Sequence, residues 1–190
     1  MKIFFFIILI FFSSEIYSKQ ENPYSFIENI IEKTKPCIVN NENECLEKLM
    51  EMYLDINEVS VWISGKNIWL NSSEKIKLEF SKEIKKLILK TYIRTINYYI
   101  DSDVEFIKNK NDDSEYNKTQ KRIQVLSIMK KNGKNVYITY RLVKNNDSWL
   151  VFDVIIEGIS ILRSLQTQYS GLIKEKGLEN VIQKIKIANE

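Results

Sequence analysis

The chain has 190 residues, 28 basic and 25 acidic, for a net charge of +3, and it contains no histidine. That length holds one domain with a substantial core and gives little reason to expect two. So mild a positive balance, with no basic tract interleaved with aromatics, argues against a nucleic-acid partner, and two cysteines without a histidine argue against a zinc site.

At the N-terminus Lys2 precedes an unbroken apolar run from Ile3 to Phe12, and small and polar residues follow. A membrane-spanning helix needs about 20 apolar residues, so the run is too short to span. Its order of charge, apolar stretch and small residues is that of a secretory signal, residues 1–18, cleaved after Ser18. A single exported domain over 19–190 is therefore predicted. No cysteine closes the apolar run, so a lipoprotein anchor is not indicated. An exported chain meets an oxidising compartment, and Cys37 and Cys45 are expected to form a disulfide, two separate thiols being the alternative.

Residues 24–35 place Phe26, Ile27, Ile30 and Ile31 at helical spacing, and Pro36 is expected to end that helix. Leu46, Leu49, Met50 and Tyr53 mark a second helix. A third follows Asp55, which with Glu58 has capping-box spacing, and Gly65 stops it. The longest helix is predicted over Ser72–Tyr99, capped by Asn71 with Glu74. Its inward stripe is Ile76, Phe80, Ile84, Leu87, Ile88, Thr91, Tyr92 and Tyr99. Lys82, Lys85, Lys86, Lys90 and Arg94 lie mostly opposite, as a solvated face or, alternatively, a face for an anionic partner.

After Asp101 the period changes from helical to two. The segments 103–110, 121–131, 135–145 and 148–158 are predicted strands, joined through Asn111–Ser114, Asn132-Gly133 and Asn145–Asp147. Asn-Gly is a strong hairpin signal, and short joins imply an antiparallel meander. Helices are expected at 159–173 and 178–187, parted by Gly177. The class is α+β: a four-stranded antiparallel sheet packed by N-terminal, long central and C-terminal helices. In the last strand Trp149, Val151, Asp153 and Ile155 alternate with Leu150, Phe152, Val154 and Ile156. Both faces are apolar, so the sheet either buries both or offers one to a greasy ligand.

Three blocks carry a likeness to a known family. Residues 65–92 hold Gly65, Trp69, Phe80, Leu87 and Tyr92. Residues 136–162 hold Tyr140-Arg141-Leu142, Trp149, Asp153-Val154 and Glu157-Gly158-Ile159-Ser160. Residues 166–169 read Gln-Thr-Gln-Tyr. With these in order, the chain resembles the MlaC-type periplasmic phospholipid-binding family, also called the toluene-tolerance family. Where that family often has Asn-Tyr-Arg, this chain has Ser164, Leu165 and Gln166, with Arg163 beside them.

The resemblance implies a periplasmic carrier whose antiparallel sheet is curved, with an apolar pocket between sheet and helices, and without catalytic, metal or cofactor sites. It would shuttle phospholipid between an outer-membrane lipoprotein complex and an inner-membrane ABC transporter bearing an MCE-type protein, and a monomer is expected. The candidate lipid-binding residues are Phe80, Ile84, Leu87 and Ile88 on the long helix, Val125, Met129, Val136, Ile138, Tyr140, Val154 and Ile156 on the strands, and Leu162 beyond them. Arg141 should face away from Tyr140 and pair with Asp153 or Glu157, and Ser160 is a candidate N-cap. The alternatives are a non-catalytic adaptor with a filled pocket, or a small pocket enzyme using Asp153, Glu157 and Tyr140. Against the enzyme stand the missing histidine and the lack of a serine or cysteine with an evident base.

Overall fold

The computed structural model describes residues 22–108, 121–146 and 148–189, with the side chains at 92 and 94–96 excepted. The predicted leader 1–18, the loop Asn111–Ser114, Asp147 and the side chains of Tyr92 and Arg94 lie outside the described residues.

Helix α1 spans Pro23–Val39. Proline suits its first turn, where no N–H is needed, and Asn22 Oδ1 accepts the Tyr24 N–H at 2.9 Å. The helix does not stop at Pro36, as expected, but passes through it. An internal proline forfeits one backbone bond, yet only a single turn lies beyond it. That turn is held from outside: the Pro36 carbonyl accepts from Asn40 at 3.0 Å, Cys37 and Ile38 are buried, and a disulfide joins Cys37 to Cys45, with Cα atoms 5.6 Å apart. Cys45 lies in α2, Asn43–Tyr53.

Helix α3, Ile56–Ser64, is capped by Asp55, whose Oδ1 accepts the Glu58 N–H at 2.9 Å. Gly65, at φ 83°, ends it and opens α4, Lys66–Asn71, a short helix the sequence pattern did not indicate. Asn71 therefore closes α4 instead of capping the long helix. That helix, α5, spans Glu74–Tyr99 with Ser73 as its cap.

One antiparallel sheet follows, in the order β1 (Asp103–Ile107), β2 (Arg122–Lys131), β3 (Lys134–Asn145), β4 (Ser148–Ile156) and β5 (Ile159–Ser160). It has five strands where four were expected. Glu157 and Gly158, both at positive φ, turn the chain tightly enough for Ile155 to pair with Ser160. Asn132 and Gly133 make the β2–β3 turn at φ 52° and 72°, as an Asn-Gly hairpin requires. The final helix, α6, Ile161–Asn189, is broken at Gly177 (φ 77°, ψ 173°), a conformation essentially reserved for glycine.

The two-sided apolarity of the sheet has two causes. On the back face, Phe152 and Val143 pack into a core among α3, α4, α5 and α6, built around Ile63, Phe80, Ile84, Tyr169, Val181 and Ile182. On the front face, Val125, Leu142, Trp149 and Val151 pack against Tyr24, Phe26 and Ile27 of α1. A third, smaller cluster joins the disulfide turn and Leu46 to Leu89, Ile93 and Ile100.

A bulge sorts β4 between these cores. Arg141 pairs with Asp153, but Leu142 pairs with Val151, which leaves Phe152 extra. The extra residue reverses the alternation. Trp149 and Val151 thus share the front with Val154, while Phe152 joins the back core. This corrects the regular alternation drawn from the sequence.

Candidate functional site

The front face has two halves. Toward the β3–β4 hairpin, Val125, Leu142 and Val151 are closed over by α1. Toward the β2–β3 hairpin the register brings together Ser127, Ile138 and Ile156, then Met129 and Val136, with Val104 beside Met129. Val136 and Ile138 are buried, whereas Val104, Met129 and Ile156 are half-buried. Among the described residues none of these belongs to the α1-covered cluster or to the helical core. The result is an apolar floor distinct from the packed cores.

Two hydroxyls mark the border between that floor and the half covered by α1. Ser127 is buried, and its Oγ has no hydrogen-bond partner among the described residues. Tyr140, one diagonal step away on β3, is half-buried, and burial pushes its phenol up to about 12, with the nearby Ser127 hydroxyl pulling weakly the other way. A phenol that stays neutral to such a pH is a hydrogen-bond donor rather than a base.

Behind the sheet, Asp153 ties β4 to the start of α6. Its Oδ1 accepts the Leu162 N–H at 3.0 Å, and its Oδ2 accepts the Ser160 hydroxyl at 2.7 Å. Arg141 lies at 3.4 Å from Oδ2, and Ser160 Oγ accepts the Arg163 N–H at 3.0 Å. Ser160 therefore caps α6, and Arg141 faces away from Tyr140 toward Asp153, as expected. Glu157 takes another place, accepting the Tyr137 N–H at the β4–β5 turn. Asp153, Glu157 and Tyr140 thus do not converge, as acid–base chemistry would require.

The candidate lipid-binding residues separate accordingly. Phe80, Ile84, Leu87 and Leu162 are buried in the helical core, and Ile88 packs against it. The stripe of α5 packs chiefly with α3 and α6, and Thr91, expected inward, is exposed. Val125, Tyr140 and Val154 lie in or against the α1-covered cluster. Met129, Val136, Ile138 and Ile156 make the floor. Ser127 and Val104 were missed: a serine in an apolar strand carries no sequence signal, and Val104 is placed only by the register of β1.

The basic stripe of α5 is largely engaged within the fold. Lys85 pairs with Glu51, Lys86 with Glu83, and Lys90 donates to the Ala188 carbonyl. A cleft of about 710 Å³ opens between α2, α5 and the end of α6. Glu47, Glu83, Lys86, Lys90 and Lys186 charge its walls, and none of the candidate lipid-binding residues lines it. Among the described residues no group of His, Cys, Asp or Glu is placed to hold a metal, and no helix is long and apolar enough to cross a membrane.

An antiparallel meander backed by a helical core, with α1 over half its front, defines an α+β protein with an apolar stretch of sheet outside its packed cores. The MlaC protein family matches residues 29–186, and the chain belongs to that family. Among solved structures it is similar to the phospholipid-binding protein from Ralstonia solanacearum, determined in complex with a phospholipid. The TM-score is 0.72 at 17% identity, covering 90% of this chain and 96% of that one. No curated protein matches the chain at a significant level.

Proposed function

We propose that the protein is a periplasmic phospholipid carrier, holding acyl chains on the front floor of its sheet and shuttling lipid between an outer-membrane lipoprotein complex and an inner-membrane ABC transporter with an MCE-type protein. The observation that carries this reading is the apolar floor of Met129, Val136, Ile138 and Ile156, outside both packed cores. Family membership supports it, as does the phospholipid bound by the Ralstonia solanacearum protein. The apolar leader supports export and fits the disulfide.

The energetics call for a carrier. A diacyl lipid carries roughly 30 methylenes, and exposing them to water costs on the order of 20 kcal/mol. A carrier that matches the membrane interior removes that barrier while leaving net transfer near balance, which suits both loading and delivery. The buried Phe80, Ile84, Leu87, Ile88 and Leu162 act as the rigid packing behind the sheet.

The test is extraction. Mature protein purified in its folded state from a membrane-containing host should release about one phospholipid per chain into organic solvent, identified by mass spectrometry. A clean extract from a folded, monodisperse sample would overturn the carrier reading in favour of a non-catalytic adaptor.

A further inference from the structure

We infer that Ser127 and Tyr140 form a hydrogen-bonding station at the edge of this floor, where it meets the α1-covered half, and that it receives the ester carbonyl joining an acyl chain to glycerol. The inference rests on the lipid reading and adds to it a chemical preference among lipids.

Ser127 is 1% exposed, and its hydroxyl oxygen has no partner among the described residues. A buried polar atom left unsatisfied is uncommon in a native fold and marks a missing water, ion or ligand. The register places Ser127 opposite Ile138 and Phe106, with Tyr140 one diagonal step away, opposite Val125. Diagonal neighbours on one face lie about 7–8 Å apart, within reach of an aromatic side chain. The Ser127 hydroxyl is near enough to act on the Tyr140 phenol as a hydrogen-bond partner would, but the contact falls short of bond geometry and leaves Ser127 Oγ unpartnered among the described residues. Even if one donates to the other, a pair of hydroxyls retains a spare O–H.

The surroundings select the acceptor. Neighbours of the pair on this face are Phe106, Val125, Met129, Ile138 and Val154, all uncharged. A carboxylate or phosphate would be stranded there without a counter-charge, at a desolvation cost that hydroxyls alone do not offset. A neutral acceptor attached to hydrocarbon is not penalised in that way. In a glycerophospholipid that group is the ester carbonyl. It brings an oxygen to the hydroxyls and lets the chain continue over Met129, Val136 and Ile156.

The experiment offers the folded mature protein vesicles containing equal amounts of ester-linked and ether-linked phosphatidylglycerol of the same chain length, and reads the ratio of bound lipids by mass spectrometry. Ether lipids keep the head group and the tails but lack the carbonyl. The wild type should favour the diester about tenfold, the worth of roughly one net hydrogen bond. Ser127→Ala and Tyr140→Phe each remove a single oxygen and should lower the ratio. The double variant should bring the ratio to about one in whatever lipid it loads. Equal loading of both lipids by the wild type, or a preference that survives in the double variant, would overturn the station and leave the carrier intact. A wild type that loads neither lipid would remove the carrier reading, and the station with it.

Discussion

Asp153 joins a strand to a helix through groups that approach it from different segments. Its side chain is fully buried, whereas that of Arg141 is 39% exposed and sits 3.4 Å away. The nearer partners are the Ser160 hydroxyl and the Leu162 N–H. Truncating a buried, hydrogen-bonded carboxylate strands its two donors, so Asp153→Ala should cost about 2–4 kcal/mol in urea unfolding. Arg141→Met should cost about 1 kcal/mol or less, because a long, part-exposed ion pair contributes little. Equal losses in the two variants would mean that the guanidinium, not the α6 cap, is what Asp153 serves. Asp153, Arg141 and Ser160 could be singled out in the sequence because polar residues interrupt an apolar strand and its following turn. The diversion of Glu157 to the Tyr137 N–H could not, since it depends on a left-handed backbone at Glu157 itself (φ 50°).

At the scale of elements, periodicity carried the helices and the hairpins, and tertiary packing decided the rest. The stripe of α5 is legible at period 3.6, but not its division: Phe80, Ile84 and Leu87 serve the α3–α6 core, while Leu89 and Ile93 serve the disulfide turn. Pro36 stops a helix by local rules, yet α1 continues because Cys37 and Ile38 are anchored beyond it. That anchoring predicts a strong effect of the disulfide. Cys37 and Cys45 are 8 residues apart, and closing a loop of that size is worth about 2–3 kcal/mol. Replacing both by serine should lower the urea midpoint accordingly, with protection of the amides at 37–40 lost first in hydrogen exchange. An unchanged midpoint would mean that apolar contacts alone hold the turn.

Across the whole molecule, charge pairs fasten α5 to its neighbours. Lys85 beside Glu51 and Lys186 beside Glu79 hold both carboxyls below their usual value of 4.5. A depressed carboxyl contributes stability that is complete above about pH 4.5 and disappears as the pH falls through its folded value. Thermal scans between pH 6 and pH 3 should therefore show a declining melting temperature, and Glu79→Gln should make that decline shallower. Both pairs are solvated, so the change will be modest. A steeper decline in the variant would assign the acid limb to other groups. The meander itself was readable from alternation and turn residues, but the bulge at Phe152 was not, because every residue of Trp149–Ile156 except Asp153 is apolar and either phase fits.

That phase decides which substitutions test the pocket. Val154 packs against the α1 cluster, so an arginine there would strain or unfold the protein and reveal nothing about lipid. Met129 is half-buried on the floor and, among the described residues, outside both large cores. Met129→Arg places a long cation where acyl chains are proposed to lie, and the side chain has partial solvent access through which to relieve its charge. The variant should keep its circular dichroism spectrum and melt within a few degrees of the wild type. Its organic extract should contain at most a tenth of the wild-type phospholipid. Full loading in a folded Met129→Arg protein would place the tails elsewhere. Loss of loading together with loss of the fold would mean that the floor is core after all, packed by the protein's own residues.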